Sequence, residues 1–139
     1  KTHNLLIGDR TAEYIKIKIG AAIPLKDEEF LDVKGRDLIT GLPKTIQLGS
    51  NEVLEAINDS LMQIVNNVKA VLEKTPPELS ADIVDTGGGS LIREFPKLLS
   101  NYTLLPVYLA ENALESVVLG AGLALDKLDV LRKIEKMER

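Results

Sequence analysis

At 139 residues, 45% hydrophobic and 27% charged, the chain has the length and composition of one ordinary globular core or of two small lobes. Its 17 Lys and Arg are interspersed with 21 Asp and Glu for a net charge of -4, which leaves no basic stripe and disfavours nucleic acid as a partner. Without cysteine there is no disulfide, thiolate nucleophile or cysteine metal site, and the single His3 stands apart from any second ligand and reads as a surface residue.

No apolar run reaches the roughly 18 residues of a membrane span, and no charged-then-apolar leader opens the sequence. The expectation is a soluble chain. Its start without Met, almost directly in Asn4-Leu5-Leu6-Ile7-Gly8, reads as a piece of a longer protein. Thr11 can cap a helix running to Ile19, with Ala12, Ile15 and Ile19 on one face and Gly20 as its stop. On that helix Glu13 and Lys16 are neighbours at i, i+3, and by spacing alone they are a surface ion pair.

After Pro24, residues 29–35 and 43–49 alternate as strands, with Leu31 and Val33 on the buried face of the first and Ile46 and Leu48 on that of the second. The connection over 36–42 is too long for a tight hairpin turn. It carries Leu38, Ile39 and Leu42, which either tuck under their own sheet or form a contact surface. Ser50 then opens the clearest helix, with Glu52 and Glu55 near its positive end. Val53, Leu54, Ile57, Leu61, Ile64, Val65, Val68, Val71 and Leu72 hold the helical period to Lys74, and Pro76-Pro77 ends it. Residues 78–84 are one more short helix or the approach to a strand.

The stretch richest in chemistry is Asp85-Thr86-Gly87-Gly88-Gly89-Ser90-Leu91-Ile92. Three successive glycines permit positive φ and let a ligand approach the main chain. A helix opening at Ser90 would aim its first amides and its dipole into that gap, which suits a phosphate. Taken alone, such a turn is more often a bare loop than a nucleotide site. Leu91, Ile92, Phe95, Leu98 and Leu99 make the next apolar stripe, residues 105–110 a short strand, and Glu111 or Asn112 leads into a long C-terminal helix. Gly120 and Gly122 inside it cost about 1 kcal/mol each relative to Ala and imply close packing or a break. The charged end, 127–139, is expected to fray.

Three segments in this order, Leu6-Ile7-Gly8-Asp9-Arg10-Thr11-Ala12-Glu13, Gly35-Arg36-Asp37-Leu38-Ile39-Thr40-Gly41-Leu42-Pro43-Lys44-Thr45-Ile46 and Leu72-Glu73-Lys74-Thr75-Pro76-Pro77-Glu78-Leu79-Ser80-Ala81-Asp82-Ile83, resemble the C-terminal part of the bacterial actin homologue MreB and its paralogues. The resemblance covers nearly the whole chain. It implies an α/β chain forming part of the second lobe of an actin-like ATPase, with residues 1–49 in the smaller upper subdomain and 50–139 in the larger lower one. It further implies that Glu13 and Lys16 line an adenosine pocket and that Gly88, Gly89, Ser90 and Leu91 lie beside the sugar and phosphates of ATP.

The family's Mg²⁺-binding and catalytic loops have no counterpart in these residues, so the resemblance places neither a catalytic residue nor a metal ligand here. It also leaves the chain without the hydrophobic strand the family has before Thr86. By resemblance the protein self-associates into filaments that organise cell shape, cytoplasmic and at the inner face of the membrane. Membrane-linked cell-shape proteins are possible partners, and the membrane-attaching segments lie outside this stretch. Leu38, Ile39 and Leu42 are candidate filament contacts. Two other readings compete. One is an interaction or assembly module of the same fold that does not use nucleotide; the other is a sugar kinase or chaperone ATPase, which the three quoted segments disfavour.

Overall fold

A computed structural model describes residues 2–127. The elements are β1 (Leu5–Leu6), α1 (Asp9–Ile19), β2 (Phe30–Asp37), β3 (Pro43–Gly49), α2 (Ser50–Leu72), β4 (Ile83–Asp85), α3 (Phe95–Thr103), β5 (Val107–Leu109) and α4 (Ser116–Asp126), with 3-10 turns at Pro77–Leu79 and Gly88–Leu91.

Helix α1 opens two residues before Thr11. Gly8 is the N-cap in extended conformation, and its carbonyl accepts the N–H groups of Thr11 and Ala12 at 3.0 Å each. Thr11 is therefore inside the first turn, and Asp9 supplies the negative charge that suits a helix start. Ile15 and Ile19 are buried as the period requires. They pack with Val33 of β2 and Val53 of α2, and Leu5, Ile7, Leu31, Ile46 and Leu48 close around them.

β1, β2 and β3 form one antiparallel sheet in that order, with Leu31 opposite Leu48 and Val33 opposite Ile46. This register puts the apolar members of both strands on the face toward α1 and α2. A slip by one residue would send them all to the other face. β2 runs on to Asp37, so the connection shrinks to residues 38–42.

Helix α2 starts where sequence places it. Its N-cap is Gly49, whose N–H donates to Glu52 Oε2 at 3.1 Å, and Leu72 closes the helix ahead of the prolines. Its first turns reach the core under the sheet. Farther along, Leu61 and Val65 join Ala22, Phe95, Leu98 and Leu99 in a second core. Pro77 opens a 3-10 turn, after which Ile83–Asp85 pairs in parallel with Val107–Leu109, and α3 makes the crossover between them.

The resemblance leads to the expectation of no strand directly before Thr86. In the structure Ile83–Asp85 itself delivers the chain to the glycine turn. The stripe from Leu91 to Leu99 is not one helix, because Glu94 adopts left-handed geometry at φ 63° and α3 begins only at Phe95. Phe95, Leu98 and Leu99 are buried, whereas Leu91 is exposed. α4 continues through Gly120 and Gly122 without a break, and no described atom comes within 4 Å of where their Cβ atoms would stand. The expected fraying of the charged end, 127–139, falls on residues of which 128–139 lie outside the described ones.

Candidate functional site

The glycine-rich stretch is a 3-10 turn, Gly88–Leu91, and no α-helix opens at Ser90. Residues 92–94 leave helical geometry before α3, so the helix-dipole contribution expected at Ser90 is absent from this turn. What remains is bare backbone. Gly87 holds φ +84° and is the position where glycine is conformationally required. Its N–H donates to the Ala113 carbonyl at 2.6 Å, and its own carbonyl accepts the Ser90 hydroxyl at 2.6 Å. Ser90 is buried, and its hydroxyl is committed to bracing the turn.

Gly88 and Gly89 are where a ligand can come close. Among the described residues, a Cβ on Gly88 would meet only the tip of Leu114 at 3.5 Å, and one on Gly89 nothing within 4 Å. The open side of the turn thus has room for a group pressed against the main chain.

Asp85 ends β4 immediately before this turn. Its Oδ2 is buried and finds no hydrogen-bond partner among the described residues. Burial pushes its carboxyl above the usual aspartate range, partly opposed by the Thr86 N–H.

Glu13 and Lys16 pair on α1 with Oε2 and Nζ 2.6 Å apart, both substantially exposed. Their helix is tied to the glycine turn by a residue that neither periodicity nor motif singles out, Arg93. Its Nη1 and Nη2 donate to the two oxygens of Glu29 at 2.6 and 2.9 Å, and Nη2 also donates to the Lys18 carbonyl at 2.9 Å. Nε donates to the Gly20 carbonyl at 3.4 Å, and the Ala22 N–H donates back to the Arg93 carbonyl at 2.8 Å.

The Arg93 hydrogen bond holds the Glu29 carboxyl below the usual range, and Glu29 in turn raises the Arg93 guanidinium. The only sequence signal for this link is a lone cation inside the apolar stripe that follows the glycines. Its partner lies 64 residues away, and no local pattern names it.

Leu38, Ile39 and Leu42 occupy the hairpin tip at 58%, 77% and 65% exposure, so they do not tuck under the sheet. The tip is nevertheless well built. Asp37 Oδ1 accepts the N–H groups of Ile39 and Thr40 at 2.8 and 3.0 Å, and Oδ2 pairs with Lys44 Nζ at 3.1 Å. These contacts, Thr40 first, hold the Asp37 carboxyl down at about 2. Seven residue steps of β2 separate the tip from the Arg93 end of the strand, about 23 Å.

His3 lies at the other end of α2's cap, with Nε2 2.7 Å from Glu52 Oε1. Glu52 is held below its usual range by the Gly49 N–H and then by His3. No group of three or more His, Cys, Asp or Glu among the described residues could hold a metal ion.

The chain matches the family model described as MreB/Mbl protein over residues 1–133. It is 46% identical to the cell shape-determining protein Mbl of Bacillus subtilis over 138 residues, covering 96% of this chain and 41% of that one. Against the cell shape-determining protein MreB of Escherichia coli K12 it is 42% identical over 135 residues, covering 94% of this chain and 39% of the relative. The chain thus spans about two fifths of the length of the curated relatives it matches.

Among solved structures it superposes on Spiroplasma citri MreB5 bound to AMPPNP with a TM-score of 0.82 at 32% identity, covering 96% of this chain and 41% of that one. The same protein bound to ADP matches equally well, with a TM-score of 0.82. The fold is accordingly the α/β fold of the actin-like MreB proteins, of which these residues form a part. With the family model matching nearly its full length and relatives above 40% identity, the chain belongs to the MreB/Mbl family.

Proposed function

We infer that the chain is part of a nucleotide-binding, filament-forming protein that organises cell shape. The observation that carries this reading is the open glycine turn at the end of a parallel strand, bolted through Arg93 to the helix that bears Glu13 and Lys16. A glycine face that a Cβ would leave unobstructed fits a nucleotide's sugar and phosphates. An exposed cation beside a carboxylate fits polar edges of ribose and base. ATP is the nucleotide proposed. Mg²⁺ is proposed to accompany it, held by ligands of the longer protein.

The second element of the reading is assembly. Leu38, Ile39 and Leu42 project from a braced hairpin and suit a contact between protomers. The division into an upper subdomain, 1–49, and a lower one, 50–139, is proposed with it; each part contributes most of one apolar core, with Ala22 crossing into the second and Val53 into the first. The protein would work in the cytoplasm at the inner face of the membrane, with cell-shape proteins anchored there as partners. No helix among the described residues is long and apolar enough to cross a membrane.

Light scattering and electron microscopy of the full-length gene product, with and without ATP, test this reading. Filaments that need ATP support it. Equal assembly without nucleotide would instead favour an assembly module of the same fold that does not use nucleotide.

A further inference from the structure

We propose that Arg93 is the positioning residue of the nucleotide pocket: its guanidinium clamps α1 to the segment leaving the glycine turn and so sets the spacing between Glu13/Lys16 and Gly88–Leu91. The proposal rests on the nucleotide reading above and goes beyond it by naming what assembles the pocket's two halves.

The geometry is specific. Four donor contacts from one side chain reach three residues: the carboxylate of Glu29 twice, the carbonyl of Lys18 and the carbonyl of Gly20. The two carbonyls belong to the last turn of α1 and its C-cap, which point unsatisfied oxygens outward and favour a cation. The fork-to-fork pair with Glu29 fixes the plane of the guanidinium, which a lysine ammonium would not do.

Glu29 is itself held at both of its backbone groups. Its N–H donates to Ser50 Oγ at 3.2 Å, and its carbonyl accepts the Ser50 N–H at 2.8 Å, so the carboxylate stands on the first residue of α2. On the other side, the Arg93 main chain bridges Ala21 in parallel and accepts the Ala22 N–H. Arg93 follows the glycine turn by two residues, and Glu13 and Lys16 precede the clamped carbonyls by less than two helical turns. Backbone and side chain of one residue therefore hold α1, the start of β2 and the glycine turn in a single register.

The pair is about half exposed, so as an isolated surface ion pair it would contribute little to global stability. Its consequence is placement. A pocket whose halves are held apart by a fixed distance binds its ligand without first having to order them.

Two measurements on the full-length gene product test this. The first is spacing by pulsed electron paramagnetic resonance, with labels at Ile17→Cys and Leu91→Cys, both exposed positions in a stretch free of cysteine. The parent is expected to give one narrow distance distribution, and Arg93→Ala and Arg93→Lys a broadened one. Equal widths would overturn the proposal whether or not nucleotide binds.

The second is affinity for a fluorescent ATP analogue together with the melting temperature of the nucleotide-free protein. Arg93→Ala and Glu29→Ala are each expected to weaken binding by about tenfold, the double variant by no more than Arg93→Ala alone. A melting temperature that falls while affinity stays unchanged would reduce Arg93 to a fold contact and overturn the proposal. Failure of the parent itself to bind the analogue would instead remove the nucleotide reading, and the spacing measurement would still judge the clamp.

Discussion

Gly35 lies so close to Leu6 that a Cβ on it would stand 2.5 Å from the Leu6 carbonyl oxygen. The obstruction is backbone, and Leu5 and Ile7 crowd the same point at 2.8 and 3.1 Å. Gly35→Ala must therefore push β1 off β2 and open the core that contains Val33. We expect a loss of about 1–3 kcal/mol in chemical denaturation, with the slope unchanged.

The Asp37 carboxyl couples the hairpin tip to pH. Its value falls from the ordinary 3.8 to about 2 in the fold, so its contribution is present above about pH 4 and is lost as pH drops through 2. Amide protection at Ile39 and Thr40, followed by NMR, should decline across that window. Asp37→Asn should remove the pH dependence while leaving the sheet intact.

Asp85 has the opposite sign. Its folded value is raised, so the favourable contribution exists below its ordinary 3.8 and is lost as pH rises through the folded value. Above that value the ionised carboxylate is a liability. Asp85→Asn should stabilise the protein wherever the carboxylate is ionised, and the gain should shrink on acidification. A pH-independent difference in thermal melting would contradict this assignment.

The three apolar side chains at the hairpin tip should matter to assembly and not to the monomer. Replacing Leu38, Ile39 and Leu42 together by Ser removes exposed surface only, so stability should stay within about 0.5 kcal/mol. The concentration needed for filament formation, measured by sedimentation, should rise severalfold.

What the sequence shows about this protein follows from which forces are local. Periodicity places α2 and its starting residue because nine apolar positions fall on one face and a proline pair ends the run. Alternation places β2 and β3 for the same reason. The strand runs two residues past the end that alternation gives it, since pairing with Pro43 of β3 carries Arg36 into the ladder and pairing with Leu5 of β1 carries Asp37, and only tertiary structure records that. The apolar stripe from Leu91 to Leu99 reads as one helix, yet left-handed Glu94 divides it, because the segment between is taken up by contacts to α1.

At the site, the glycines announce bare backbone. They do not announce that Gly87 carries the conformational demand or that Ser90 faces inward. Arg93 and Glu29 are invisible at any local window, because their meeting is a property of how α1, α2 and the glycine turn come together.

The central claim is that the open face of the glycine turn receives a nucleotide. Gly89→Val in the full-length gene product tests it most directly, since a Cβ there meets no described atom within 4 Å and the branched side chain fills the space a ligand would use. Calorimetric titration with ATP should show affinity reduced by about a hundredfold, while the nucleotide-free protein melts within a few degrees of the parent. ATP binding at parental affinity in a folded Gly89→Val protein would contradict the account.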